Sequence, residues 1–313
     1  MTTMAADPDS RELERIVGTP LTSVVRARWG FANRTDIVTT SGGERLVVQR
    51  YRDRSLADHR IRTMAAMAGP LAQLGIAIPA ARRVQLDDEP PWAIFDQLEG
   101  VPVTEAGEHG LGGAQFPRLA VRMGDLQRRI ATVPAEGLDL RDGWADPRTL
   151  AADASGWLEQ VADRIGVEEA ETLRRTIAEV ETLFRDRPAV VAHGDFVPVN
   201  ILVKEGEITG LLDFESTRLA DPLFDVAWWT WVVGFHHLAD LAWSLPSFLE
   251  GAGVRRDAIL EDRMHALQLL RLLELAATSA GAGQAAMDMW ISRLTDTLDG
   301  RGRPARPAGG VLL

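Results

Sequence analysis

The chain has 313 residues, 46% hydrophobic and 25% charged, enough to bury one large core or two modest ones in an ordinary globular protein. The absence of cysteine excludes disulfides and thiol chemistry, and the six scattered histidines lack the spacing of a zinc site. Lys and Arg number 34 against 45 Asp and Glu, and the net charge of −11 argues against nucleic acid as a partner and suits a cationic substrate.

Residues 1–10 are expected to fray. Between residues 21 and 98 strands dominate, and Asp36–Thr40 and Arg45–Arg50 flank Ser41-Gly42-Gly43-Glu44 as a hairpin. A helix follows with Leu56, Ile61, Met64, Met67, Leu71 and Leu74 on one stripe, and Gly69-Pro70 is expected to break or kink it. Trp92–Phe95 reads as a further strand. From about residue 100 the period turns helical, with Leu119, Met123, Leu126 and Ile130 on one stripe and Leu173, Ile177, Val180 and Phe184 on another. Short strands at Ala189–Ala192, Ile201–Val203 and Ile208–Leu212 surround a polar segment, and helices fill Asp221–Leu298. The apolar run Val226–Phe235 is ten residues long and interrupted by Thr230, too short to span a membrane. The first residues lack the basic-then-apolar order of a signal peptide, so a cytoplasmic protein with no membrane partner is expected. The glycine, proline and charge of residues 300–313 predict a disordered tail.

The chemistry concentrates between His193 and Asp213. Asp195 is followed five residues on by Asn200 and eighteen residues on by Asp213, all at the margins of strand-like runs. A carboxylate beside an acceptor hydroxyl can orient it and take its proton late in phosphoryl transfer, which makes Asp195 the candidate catalytic residue. One amide and one carboxylate oxygen suffice for Mg²⁺ when phosphates and waters complete its shell, which makes Asn200 and Asp213 the candidate metal ligands. Taken singly, Asp195 also suits a turn, Asn200 a capping amide and Asp213 a strand end. His193 is expected to brace the loop, and Asp225 to hold it by accepting backbone N–H bonds. Trp228, Trp229, Trp231, Trp243 and Trp290 read as core packing, with the wall of an acceptor pocket as the alternative.

The blocks His193–Val203 and Leu211–Ala227 resemble the aminoglycoside phosphotransferase and small-molecule kinase family of the protein-kinase-like superfamily, and the resemblance extends over Thr22–Trp229. Gly194, where protein kinases usually have arginine, and Glu215, where they place glycine, resemble the antibiotic-kinase branch. The resemblance implies an α+β, bilobal protein-kinase-like fold, with a small strand-rich nucleotide-binding lobe over 1–98 and a large helical catalytic and acceptor-binding lobe over 99–299. It implies ATP and Mg²⁺ as cofactors. Gly30 and Asn33 would lie in the nucleotide-covering loop, and Arg50 would replace the strand lysine that pairs with phosphates. The Asp96 carbonyl and Leu98 N–H would meet adenine. Kinases pair the strand cation with a glutamate on the next helix; no glutamate lies between Arg52 and Pro79, and Asp58 is the candidate substitute. The implied activity is transfer of the γ-phosphoryl group to a hydroxyl of a small molecule, an aminoglycoside or other antibiotic. Metabolic kinases of sugar, choline or homoserine type and a pseudokinase-like binding protein are the alternatives.

Overall fold

The computed structural model describes residues 8–27, 33–106, 111 and 115–300. Contacts divide the chain into two compact units, Met1–Glu99 with Gly210–Glu215, and Gly100–Thr209 with Ser216–Leu313.

The first unit begins with α1 (Pro8–Val17), a helix where fraying was expected through residue 10. Proline suits a first helical position because its missing N–H has no partner there anyway. Leu13 and Ile16, one turn apart, bury themselves against Val38, Leu46, Val48, Trp92 and Ile94. Those residues belong to an antiparallel sheet of β1 (Leu21–Arg26), β2 (Arg34–Thr40), β3 (Arg45–Arg50), β4 (Ala81–Gln85) and β5 (Trp92–Asp96), in the order β1-β2-β3-β5-β4. The β2–β3 hairpin is the one the turn residues predict: Thr39 pairs with Arg45, and Gly43 donates to the Thr40 carbonyl at 2.9 Å with a left-handed φ of 83°. Between β3 and β4 runs α2 (Arg54–Gln73), capped by Asp53, whose carboxylate accepts the Leu56 N–H at 2.8 Å. The helix passes through Pro70 unbroken. Proline removes one backbone bond near the helix end, and the burial of Met64, Met67 and Leu71 offsets that loss. Leu56, expected on the buried stripe, is 65% exposed, and Ala57 takes the inward position.

The second unit is largely helical, as the period predicts. It contains β6 (Val101–Pro102), α3 (Phe116–Ile130), β7 (Arg141–Trp144), α4 (Pro147–Val161), α5 (Val167–Leu183), β8 (Val190–Ala192) and β9 (Ile201–Lys204). After β10 (Glu207–Leu211) come β11 (Arg218–Ala220), α6 (Phe224–His236), α7 (Leu238–Gly251), α8 (Leu260–Thr278) and α9 (Gln284–Leu298). All four residues of each predicted stripe on α3 and α5 are buried. The core centres on Trp229 of α6, whose ring stacks on Phe248 of α7 at 3.8 Å and on Phe116 of α3 at 6.1 Å. β8 pairs with β11 and β6 with β9, so the polar segment between β8 and β9 is held at both ends by sheet. A strand-rich N-terminal sheet followed by a helical region is the α+β arrangement expected. No helix among the described residues is long and apolar enough to cross a membrane. The predicted tail, apart from Gly300, lies outside the described residues.

Candidate active site

The segment from His193 to Asn200 is fixed by its backbone. Asp225, at the start of α6 and 1% exposed, accepts the His193 N–H at 2.7 Å and the Gly194 N–H at 2.9 Å, the bonds its position predicts. Burial pushes its carboxyl above the usual aspartate range, and the His193 ring and these two N–H groups act against the rise. His193 is fully buried, and its Nδ1 accepts the Asp195 N–H at 3.3 Å. Gly194 has a left-handed φ of 86°, and a Cβ there would lie 1.9 Å from the Ser216 carbonyl oxygen. No side chain fits at this crossing, which is the physical reason for glycine after His193.

Asp195 projects from this pinned loop and is only partly buried. Its two carboxylate oxygens have separate donors: Asn200 Nδ2 reaches Oδ2 at 2.9 Å, and Trp228 Nε1 reaches Oδ1 at 2.9 Å. Asn200 Nδ2 also donates to the Asp195 carbonyl at 3.0 Å, so any metal contact from this amide falls to its oxygen. The bond from Trp228 is one that sequence reasoning missed, because tryptophan on an apolar helix reads as packing. Packing is indeed the role of Trp229. Trp231 stacks on Trp228 at 4.8 Å, whereas Trp243 is 79% exposed.

Behind the loop lies a buried charge triad. Arg218 Nη1 contacts both oxygens of Glu274 at 2.9 Å, and Arg271 bonds the same carboxylate. Arg271 also reaches the Gly194 carbonyl and Ser216 Oγ, each at 3.4 Å. Burial, reinforced by the neighbouring Arg271, pushes the Arg218 guanidinium down to about 10. Burial alone would raise the Glu274 carboxyl, but the two guanidiniums outweigh it and hold the group below the usual glutamate range. Glu274 is thus committed to this triad.

The remaining predicted residues lie in the first unit. Asp213 adopts a left-handed φ of 69°, and Arg60 of α2 donates to its Oδ1 at 2.7 Å and to Glu215 Oε2 at 2.8 Å. Arg50, 4% exposed, is surrounded by acids: Asp36 Oδ2 at 2.6 Å, Glu12 Oε2 at 2.6 Å and Asp9 Oδ1 at 2.8 Å. Asp58 pairs with Arg62 one turn along its own helix. Arg50 and Asn33 both line a cavity of about 490 Å³ with Glu12, Arg26, Arg34 and Arg52. Gly30 lies outside the described residues. Asp96 ends β5, receives a bond from Arg82, and donates its N–H to Ala80 at 3.2 Å; Leu98 follows two residues on, half-buried. Among the described residues no three His, Asp or Glu side chains gather as a protein-only metal cage. A cation sharing its shell with phosphate and water needs no such cage.

The model of the phosphotransferase enzyme family matches residues 23–243. No curated protein matches the chain. Among solved structures it is similar to a macrolide 2'-phosphotransferase type I, with 18% identity over 94% of this chain and 99% of that one and a TM-score of 0.70. It is similar to the GDP complex of an aminoglycoside 2'-phosphotransferase IIIa variant, with 14% identity, 93% and 97% coverage and a TM-score of 0.73. A third is a streptomycin–ATP ternary complex of an aminoglycoside phosphotransferase, with 12% identity, 96% and 98% coverage and a TM-score of 0.64. These likenesses carry the kinase-like fold, and the family match covers both the loop around Asp195 and the loop around Asp213. The chain therefore belongs to the phosphotransferase enzyme family.

Proposed function

We propose that this phosphotransferase moves the γ-phosphoryl group of Mg-ATP to a hydroxyl of a small molecule, with aminoglycosides and other antibiotics as the acceptor class. The observation that carries this reading is the Asp195 carboxylate, aimed by Asn200 and Trp228 from a loop whose backbone is pinned to Asp225. Asp195 orients the acceptor hydroxyl and takes its proton as the bond to phosphorus nears completion. Asn200 and Asp213 supply amide and carboxylate oxygens, a hard donor set that suits Mg²⁺, and the cationic partner already on Asp213 marks its carboxylate as one that favours positive charge. When bound, the ion would neutralise charge on the phosphates. Asn33 and Gly30 serve the nucleotide-covering loop, and Asp96 and Leu98 offer backbone groups to the adenine.

The complexes of the similar structures, with GDP or with ATP and streptomycin, support a nucleotide donor and a small-molecule acceptor of that kind. The net charge of −11 agrees with such an acceptor. Trp228 and Trp231 are each 4% exposed, so their stacked rings support Asp195 from the core rather than wall the acceptor.

The test is mass spectrometry of a compound panel incubated with the protein, Mg²⁺ and ATP or GTP. A mass gain of one phosphoryl group on an aminoglycoside or macrolide supports the acceptor class. Gain confined to sugars, choline or homoserine would move the chain to the metabolic kinases. Saturable nucleotide binding with no transfer to any acceptor would make it a binding protein. Asp195→Ala should reduce turnover by about 10²- to 10⁴-fold while nucleotide affinity holds, since the base acts on the acceptor. A parallel loss of nucleotide affinity would refute that role.

A further inference from the structure

The two faces of β3 differ in charge at its C-terminal end. Arg50 follows Leu46 and Val48 in the two-residue alternation, and both of those pack on α1. Its guanidinium stays on that face, opposed by Asp36, Glu12 and Asp9. Gln49 belongs to the other face. Its Oε1 accepts the Tyr51 hydroxyl at 3.0 Å, and its Nε2 donates to Thr35 Oγ1 at 3.4 Å. At this end of the strand, that face presents an amide rather than a cation.

A cation arrives there from α2 instead. Arg60, whose side chain is 12% exposed, bridges Asp213 and Glu215. Tyr51 marks the common side: its hydroxyl bonds Gln49, and it lies within electrostatic reach of Arg60, Asp213 and Glu215. A glutamate in place of Arg60 would have stood against the carboxylates of Asp213 and Glu215.

We propose that Arg60 is the cation that holds the nucleotide phosphates in this chain, acting from α2 in place of a β3 cation and seated on Asp213 and Glu215. The inference rests on the nucleotide-dependent reading above. A guanidinium carries five N–H donors in a planar fork, so one group can bridge carboxylate and phosphate oxygens together. Arg50 cannot substitute without giving up three carboxylate partners, one of them the 1% exposed Asp36. Arg60 is thus a phosphate-binding and positioning residue, and the helix acid missing from the sequence has been exchanged for its opposite charge.

Calorimetric titration of Mg-ATP, Mg-ADP and adenosine tests the idea on the wild-type chain, Arg60→Gln, Arg60→Lys and the double variant Gln49→Lys/Arg60→Gln. Arg60→Gln should weaken ATP and ADP by about 10- to 100-fold, the loss of a charged hydrogen bond, and leave adenosine within about twofold. Arg60→Lys should retain part of the affinity, and the double variant should recover part of what Arg60→Gln loses. Unchanged ATP affinity in Arg60→Gln, or equal losses for ATP and adenosine, would overturn the proposal while leaving the phosphotransferase reading intact. A wild-type chain that binds no nucleotide would overturn both. If Arg60→Gln does not fold, Arg60→Lys decides: a loss confined to ATP and ADP supports the role, and wild-type affinity for both refutes it.

Discussion

Trp228→Phe separates the aim of the Asp195 carboxylate from its presence. The side chain donates Nε1–H to Asp195 Oδ1 at 2.9 Å while its ring stacks on Trp231 at 4.8 Å and lies under the Arg271 guanidinium at 5.7 Å. Phenylalanine keeps a ring in the stack and removes the donor. Asp195 then keeps the Asn200 Nδ2 bond on Oδ2, and a carboxylate held by one oxygen can turn about its broad terminal torsion. A hydrogen bond to a charged acceptor is worth about 1.5–3 kcal/mol, and each 1.4 kcal/mol is about tenfold in rate, so kcat should fall by about 10- to 100-fold. The KM for nucleotide should stay within about twofold, because Trp228 contacts the carboxylate proposed to meet the acceptor rather than the nucleotide. Steady-state kinetics with the acceptor found by mass spectrometry, paired with a thermal melt, reads both quantities. A folded variant with wild-type kcat would refute the orienting role, as would a rise in nucleotide KM that matched the fall in kcat/KM.

Three further predictions concern the scaffold. Gly194→Ala places a Cβ 1.9 Å from the Ser216 carbonyl at a left-handed φ, so it should lose activity and more than about 2 kcal/mol of stability in urea unfolding; a neutral effect would mean that the loop shifts freely. Asp225→Asn turns one of two accepting oxygens into a donor facing a backbone N–H, and should cost about 2–4 kcal/mol. Its folded carboxyl lies above the unfolded value, so wild-type stability should fall as pH rises from the unfolded pKa to that raised value. The asparagine variant should lose this slope, and a slope that persisted would assign it to another group. Glu274→Gln leaves Arg218 and Arg271 facing each other in the interior and should cost about 3–5 kcal/mol. The wild-type carboxyl is held low, so its contribution is present above the unfolded glutamate pKa and is lost as pH falls through the depressed folded value. A Gln variant with an unaltered acid limb would contradict that linkage.

What the sequence reveals follows from how local each signal is. The helices of the second unit carry full stripes, and the β2–β3 hairpin has two glycines at its turn, so their patterns survive without tertiary knowledge. The acids and amide from Asp195 to Asp213 are recognisable because their chemistry is packed into two short blocks. β7 and β11 escape notice because four and three residues are too few to show a period. The bond from Trp228 depends on where one indole nitrogen points, and no spacing rule encodes that.

The two arginines of the first unit show a deeper limit. The alternation Leu46, Val48, Arg50 against Val47, Gln49 is written plainly in the chain, and it already separates the two faces of β3. Which face holds the core is decided by α1, whose apolar stripe is two residues set among charges in a helix whose first turn was expected to fray. Without α1, Arg50 would face Asp36 alone. With α1 in place, Asp9 and Glu12 join Asp36 around it, and the cation that meets Asp213 comes from a helix that sequence reasoning searched only for acids. A charge on a strand is thus assigned by what packs on its own face, and a ten-residue helix outside the two motif blocks surrounds Arg50 with carboxylates.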